Sequence, residues 1–192
     1  KGVVKTLPQH WKTIFPNPHN GPARFLGTSY YVDFPQLRLI ALDTDGLHRM
    51  SDYTQVAFWL KKTLRDAGKK FTIVMMHHPI YSTAEGRHTP LMWLAFHGVM
   101  READVVFSGH DHNYARRTVH YAERFWKKEE PTIFISTNAS TKKYPVKENK
   151  QYEASLAGEP VYEYIFVTPS SLQISTYNIY SGELIDKVEI IR

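Results

Sequence analysis

Cysteine is absent from all 192 residues. Disulfides and thiolate metal sites are thereby excluded, and any transition metal would have to be held by His, Asp, Glu, Asn or Tyr. Long apolar runs are absent too, the longest, such as Phe71 to Met76, falling far short of the roughly 20 residues a spanning helix needs. A membrane partner is therefore not expected. The N-terminal "KGVVKTLPQHW" lacks the apolar stretch and cleavage site of a signal peptide, and no internal repeat is visible. Charge of one sign is not concentrated. The 24 Lys and Arg against 19 Asp and Glu give a net charge of +5, but they fall in short groups such as Lys61-Lys62, Lys69-Lys70 and Arg116-Arg117. Such groups read as solvated faces rather than a nucleic-acid stripe. What is present, 42% hydrophobic and 22% charged residues, excludes disorder and coiled coil and suits one domain, residues 1–192, with a sizeable core.

The first thirty residues are rich in Pro, Gly and Asn without a sustained period and are expected to form an extended surface segment. Beyond them the pattern is regular. "LRLIAL" (37–42) reads as a buried strand ending in the turn Asp43-Thr44-Asp45-Gly46. Asp52 with Gln55 resembles a capping box; Val56, Leu60 and Leu64 then recur on one helical face, and Gly68 stops the helix. "FTIVMM" (71–76) is a second strand, Thr89-Pro90 opens a second helix running to about Glu102, and "DVVF" (104–107) is a third strand. This βαβαβ order predicts an α/β fold with parallel pairing and right-handed crossovers. After Arg117, strand-like runs follow without helices, and Ser170-Ser171 and Ser181-Gly182 look like hairpin turns. These C-terminal strands are expected to be antiparallel, with a polar loop at 140–159 between two of them.

The geometric consequence is that Asp43, His77 and His110 all follow the carboxyl ends of successive strands, the edge where ligand sites collect in such sheets. "FSGHDHNY" (107–114) adds His112, and His-x-His lets two rings serve one ion or neighbouring ions. Imidazole donates a neutral lone pair and suits zinc, iron or manganese-type ions. Gly109 is expected to let the backbone turn tightly at the rim. Asp43 and Asp45 read as turn formers rather than ligands. His10, His19, His48, His97 and His120 have no convergent partner, and Trp59, Trp93 and Trp126 read as packing residues.

"IVMMHHPIYSTAE" followed by "VVFSGHDHNYAR" resembles the last two metal-binding blocks of the calcineurin-like metallophosphoesterases, closest to the purple acid phosphatase branch. In that family an apolar strand ends in His-x-Pro and a later one in Gly-His-x-His. The segment "FPNPHNGP…SYYVDFPQLRLIALDT…QVAFWLKKTL" is similar to the stretch that precedes them, so the resemblance covers most of residues 13–118. It implies a metallophosphoesterase-type β-sandwich flanked by helices, and two divalent or trivalent ions (Fe, Zn or Mn) hydrolysing a small-molecule phosphate ester. It further implies His77 and His110 as ligands of one metal, His112 as a ligand of its neighbour, and His88 near the phosphate pocket, where Arg87 could substitute. Tyr114, beside the site, is a substrate-contact candidate as well as a packing one. Relatives on this branch are often exported, so a secreted or periplasmic location is expected. Asn138-Ala139-Ser140 is a glycosylation triplet of a kind common by chance.

The family's Asp-x-His, Gly-Asp-x-x-Asp and Asn-His blocks do not occur: neither Gly-Asp nor Gly-Asn-His is present. The chain is accordingly expected to be the C-terminal part of a larger catalytic domain, inactive alone. Three neutral imidazoles cannot offset the charge of two divalent ions, so carboxylates are also a physical requirement. The alternative is a non-catalytic module that binds nucleic acid or another polyanion, whose affinity would collapse with added salt.

Overall fold

The computed structural model describes residues 10–121, 131–147 and 151–192. Trp126 and the first part of the N-terminal segment lie outside these residues.

The chain orders as a short helix α1 (Trp11–Ile14), a 3-10 turn (Ala23–Phe25), β1 (Tyr30–Asp33), β2 (Leu37–Leu42), α2 (Met50–Arg65), β3 (Phe71–Met76), α3 (Pro90–Met100), β4 (Val105–Ser108), β5 (Tyr114–Val119), β6 (Thr132–Ser136), β7 (Ala154–Leu156), β8 (Val161–Val167), β9 (Ser171–Asn178) and β10 (Leu184–Ile191). Two sheets result, one in the order β1-β2-β3-β4-β6-β5-β7 and one in the order β10-β9-β8. The run β2, β3, β4 is parallel, as the alternation of strand and helix requires.

Helix α2 begins two residues before the expected Asp52. Asp52 is its third residue, and its Oδ2 accepts the Arg49 amide at 3.0 Å and the His48 amide at 3.2 Å. A carboxylate in the first turn satisfies donors that have no helical partner and meets the positive end of the dipole. Pro90 opens α3 at a position where its missing amide hydrogen costs nothing.

The core has two parts, one on each face of the large sheet. On one face Val56, Leu60 and Leu64 of α2 and Met92, Phe96 and Met100 of α3 pack on Ile40, Val74 and Val106. On the other, Phe71, Ile73, Phe107 and Ile135 meet Val161, Leu172 and Ile174 of the small sheet. The layers are thus helices, large sheet, small sheet, the mixed α/β sandwich that was expected.

The C-terminal strands differ in part from the expectation of one antiparallel sheet. The strands β8 to β10 do form a separate antiparallel sheet with turns at the expected serines. Strand β6 instead inserts between β4 and β5, parallel to β4 and antiparallel to β5. All five of its residues are buried, and a strand covered on both faces belongs in the interior of a sheet beside parallel neighbours.

Candidate metal centre

Three loops leave the carboxyl edge of the parallel strands side by side. The first, after β2, is the expected turn: the Gly46 amide donates to Asp43 Oδ1 at 2.8 Å. The second, after β3, carries His77-His78-Pro79. The third, after β4, carries Gly109 to Asn113, and the Gly109 amide donates to the His77 carbonyl at 3.1 Å, drawing the second and third loops together. The tight turn expected of Gly109 is made by the histidines. His110 (φ 68°) and His112 (φ 51°) are the only non-glycine residues with positive φ among those described. Gly109 itself is not in left-handed backbone, and a Cβ there would meet His77 Nδ1 only at an ordinary contact distance of 3.5 Å.

A non-glycine residue in this region costs about 1–3 kcal/mol and persists only where its surroundings hold it. Asp111 is that hold. It is fully buried between the two histidines, and its Oδ2 accepts the Thr83 amide at 2.5 Å and the Ala84 amide at 3.3 Å. Asn113, also fully buried, takes the Thr83 hydroxyl on its Oδ1 at 2.6 Å. The third loop is thereby fastened to the segment that follows His77-His78.

His77, His78 and His110 converge, with one nitrogen of each lying within 4.8 Å of the others. His110 Nδ1 and His77 Nε2 are 3.2 Å apart, close to the roughly 3.4 Å separating two nitrogens bound tetrahedrally to one zinc-sized ion. His78 Nδ1 lies 3.0 Å from the Thr44 hydroxyl, which also accepts the His78 amide at 3.1 Å. With Nδ1–H given to Thr44, His78 Nε2 keeps its lone pair for a metal, the usual arrangement for a ligating histidine. Burial, then the charges of His78, Arg87 and His77, hold the His110 ring below the usual histidine range. The neutral imidazole that metal binding needs is therefore the favoured form. The donor set fits one ion. Among the described residues, no carboxylate joins the three rings in this group.

The other candidates lie around this centre. His112 stands apart from the three rings: its Nδ1 is 3.0 Å from Ser140 Oγ and its ring meets Tyr144 edge-on. Burial, then Lys142, Arg87 and His77, lower its affinity for a proton. Arg87 donates to the His110 carbonyl at 2.9 Å and lies over the Tyr144 ring, 4.3 Å from its centroid. His88 is exposed and lines a cavity with Tyr81 and Trp93. Tyr114 is the one candidate that the structure moves away from the surface. Its side chain is fully buried and its hydroxyl donates to Asp186 Oδ2 at 2.7 Å, so it packs between the sheets instead of meeting a substrate. Asn138 is only 3% exposed, folded into a turn with Ser140, which removes it from the surface a glycan would need.

Sequence reasoning missed His78, Thr44 and Asp111. The doubled histidine before Pro79 was the available signal for His78. Thr44 and Asp111 find their partners 34 and 28 residues away, and no local pattern announces that.

Imidazoles gathered at the carboxyl edge of a parallel sheet, inside a helix–sheet–sheet sandwich, form a candidate metal centre in an α/β domain. The particular family follows from comparison: the chain belongs to the calcineurin-like phosphoesterases, whose family profile matches residues 9–114, more than half of its length. No curated protein sequence matches. Among solved structures, GAP50, "the anchor in the inner membrane complex of Plasmodium", is similar at TM-score 0.63 and 16% identity, over 85% of this chain and 53% of that one. PhoD is similar at TM-score 0.56 and 10% identity, over 85% of this chain and 40% of that one. At these identities the likeness is one of fold, and the chain spans about half the length of the first.

Proposed function

We propose that this chain supplies the histidine side of a dinuclear centre that hydrolyses small-molecule phosphate esters, in the manner of the purple acid phosphatase branch, and that the bridging and terminal carboxylates come from sequence outside these residues. The observation that carries this reading is the three-ring group at the sheet edge, which no carboxylate joins among the described residues. A second observation agrees. The strand β2 buries Arg38, Ile40 and Leu42 on the helix side, while Leu37, Leu39 and Ala41 on the other are half-buried. Met75 on central β3 is 47% exposed. That half-covered apolar face, directly beneath His77, is where an additional layer carrying carboxylates would sit.

Membership in the family supports phosphoester hydrolysis at a metal site in general. Bound divalent or trivalent ions (Fe, Zn or Mn) would polarise phosphoryl oxygens and lower the pKa of a water. The chain's own residues set the stage. His77 and His110 hold one ion, with His78 beside them, and His112 is assigned to its neighbour. Arg87, anchored on the His110 carbonyl, brings positive charge to the phosphate side. His88 is assigned to the phosphate pocket, to meet the phosphoryl group or the leaving oxygen.

The test is metal titration with activity measured alongside. Calorimetry should show weak binding of Zn²⁺ or Mn²⁺ by the 192-residue chain, lost in H77A and H110A, with negligible turnover of an aryl phosphate. Robust metal-dependent turnover by the chain alone would overturn the shared-centre reading, and metal binding indifferent to both substitutions would overturn the site itself.

A further inference from the structure

A cavity of about 310 Å³ lies on the far side of Thr89 and Pro90 from His78. Thr89 and Pro90 line it and also line the neighbouring hollow that contains His78, so the two spaces share the start of α3 as their wall. Arg87, bound to the His110 carbonyl, is followed at once by His88 at the cavity. The cavity therefore shares a wall, Thr89 and Pro90, with the hollow that contains His78 of the candidate centre.

Its walls have two chemistries. Tyr81, Trp93 and Tyr152 are aromatic, and His88, Arg117 and Lys147 are cationic or can become so. No Asp or Glu occurs among the described lining residues. Lys147 is oriented by carbonyls alone, donating to Arg87 O at 2.6 Å and Ser82 O at 3.2 Å. The Arg117 guanidinium lies over the Tyr81 ring, 4.1 Å from its centroid, and its buried Nε has no hydrogen-bond partner. The Ser82 hydroxyl is likewise buried without one. Aromatic faces beside uncompensated cations suit a flat ring bearing a negative charge, since rings stack on the aromatics and the anion meets the cations.

We propose that this cavity is a subsite for phosphate esters whose organic part is a planar aromatic or heteroaromatic ring, nucleoside monophosphates being the fitting class. The assignment rests on the phosphoesterase reading for its link to catalysis but not for binding, which requires no metal. Trp93 serves as a stacking wall and Arg117 as the donor to an oxygen of the ligand.

Binding of adenosine monophosphate, adenosine and inorganic phosphate to the metal-free chain, in chelator, separates the possibilities. The nucleotide should bind about tenfold or more tightly than either part, quenching tryptophan fluorescence. Trp93→Ala should weaken it about fivefold or more; Trp93 is 46% exposed, so its loss leaves the fold intact. Arg117→Met should weaken the nucleotide and leave adenosine unchanged. Nucleotide binding no tighter than phosphate, or unchanged in W93A, would overturn the subsite even if metal titration succeeds. Nucleotide binding that depends on Trp93 in a chain that binds no metal would keep the subsite and sink the phosphoesterase reading instead.

Discussion

Asp111 takes its hydrogen bonds from Thr83 and Ala84, not from the converging rings, and yet decides where two histidines stand. Its buried carboxylate is held by two amides of the preceding loop, and its neighbours on both sides occupy left-handed backbone. Asp111→Ala removes charge-assisted acceptors and leaves buried amides unpaired, a loss of about 3 kcal/mol in chemical denaturation. With the hold gone, His110 relaxes toward ordinary φ, and metal affinity should fall by about 10- to 100-fold. Asp111→Asn keeps an acceptor oxygen and should do less on both counts; equal metal affinity in wild type and D111A would refute the positioning role. At this scale the sequence was informative about ligand types and silent about their supports. His77 and His110 stand out because they follow apolar strands. Asp111 and Thr44 do not, since their importance lies in amides and rings from distant loops.

Among elements, continuous or alternating apolar runs marked the strands and helices that place the site, and β2, α2, β3, α3 and β4 all lie within a few residues of the expected bounds. The strands β1 and β7 were not legible: one is a four-residue edge strand beginning where the Pro- and Gly-rich start ends and the other a three-residue strip inside a polar loop. Short edges carry little periodicity because only one neighbour selects their residues. Edge β1 is fastened chemically instead. Arg38 of β2 grips Asp33 through Nε at 2.8 Å and Nη2 at 2.7 Å, and reaches the Thr63 carbonyl of α2 at 2.8 Å. The Arg38 hydrogen bond, aided by Lys70, holds the Asp33 carboxyl down at about 2. A carboxylate lowered in the folded state contributes stability that is complete above its unfolded value and is lost as pH falls toward the folded one. Stability measured by urea midpoint should therefore decline between about pH 4 and pH 2, and D33N should remove part of that decline; an unchanged slope in D33N would refute the assignment.

Across the whole molecule, the two sheets are joined by a polar bolt within an apolar seam. Tyr114 and Arg116 of β5 both reach Asp186 of β10, the Tyr114 hydroxyl at 2.7 Å and Arg116 Nε at 2.5 Å, while Thr176 of β9 donates to the Tyr114 oxygen at 3.3 Å. A register shift between Leu184 and Asp186 marks the place where β10 presents this carboxylate. Burial pushes the Tyr114 hydroxyl well above the usual tyrosine range, so it remains a donor at any physiological pH. Burial alone would raise the Asp186 carboxyl too, but the Arg116 and Tyr114 hydrogen bonds outweigh it and keep it ionised. Tyr114→Phe preserves the ring and deletes only the donor. It should cost about 1–2 kcal/mol, read as a fall of about 3–6 °C in Tm. Asp186→Ala leaves Arg116 with only the more exposed Glu153 and should cost about 3–5 kcal/mol. Neither change should alter metal binding at His77, His78 and His110, because the bolt lies between the sheets and the rings lie at their edge. A Y114F variant with unchanged Tm but altered metal or nucleotide affinity would return Tyr114 to the functional site; a lower Tm with unchanged affinities would establish it as the tie that keeps the second sheet seated behind that edge.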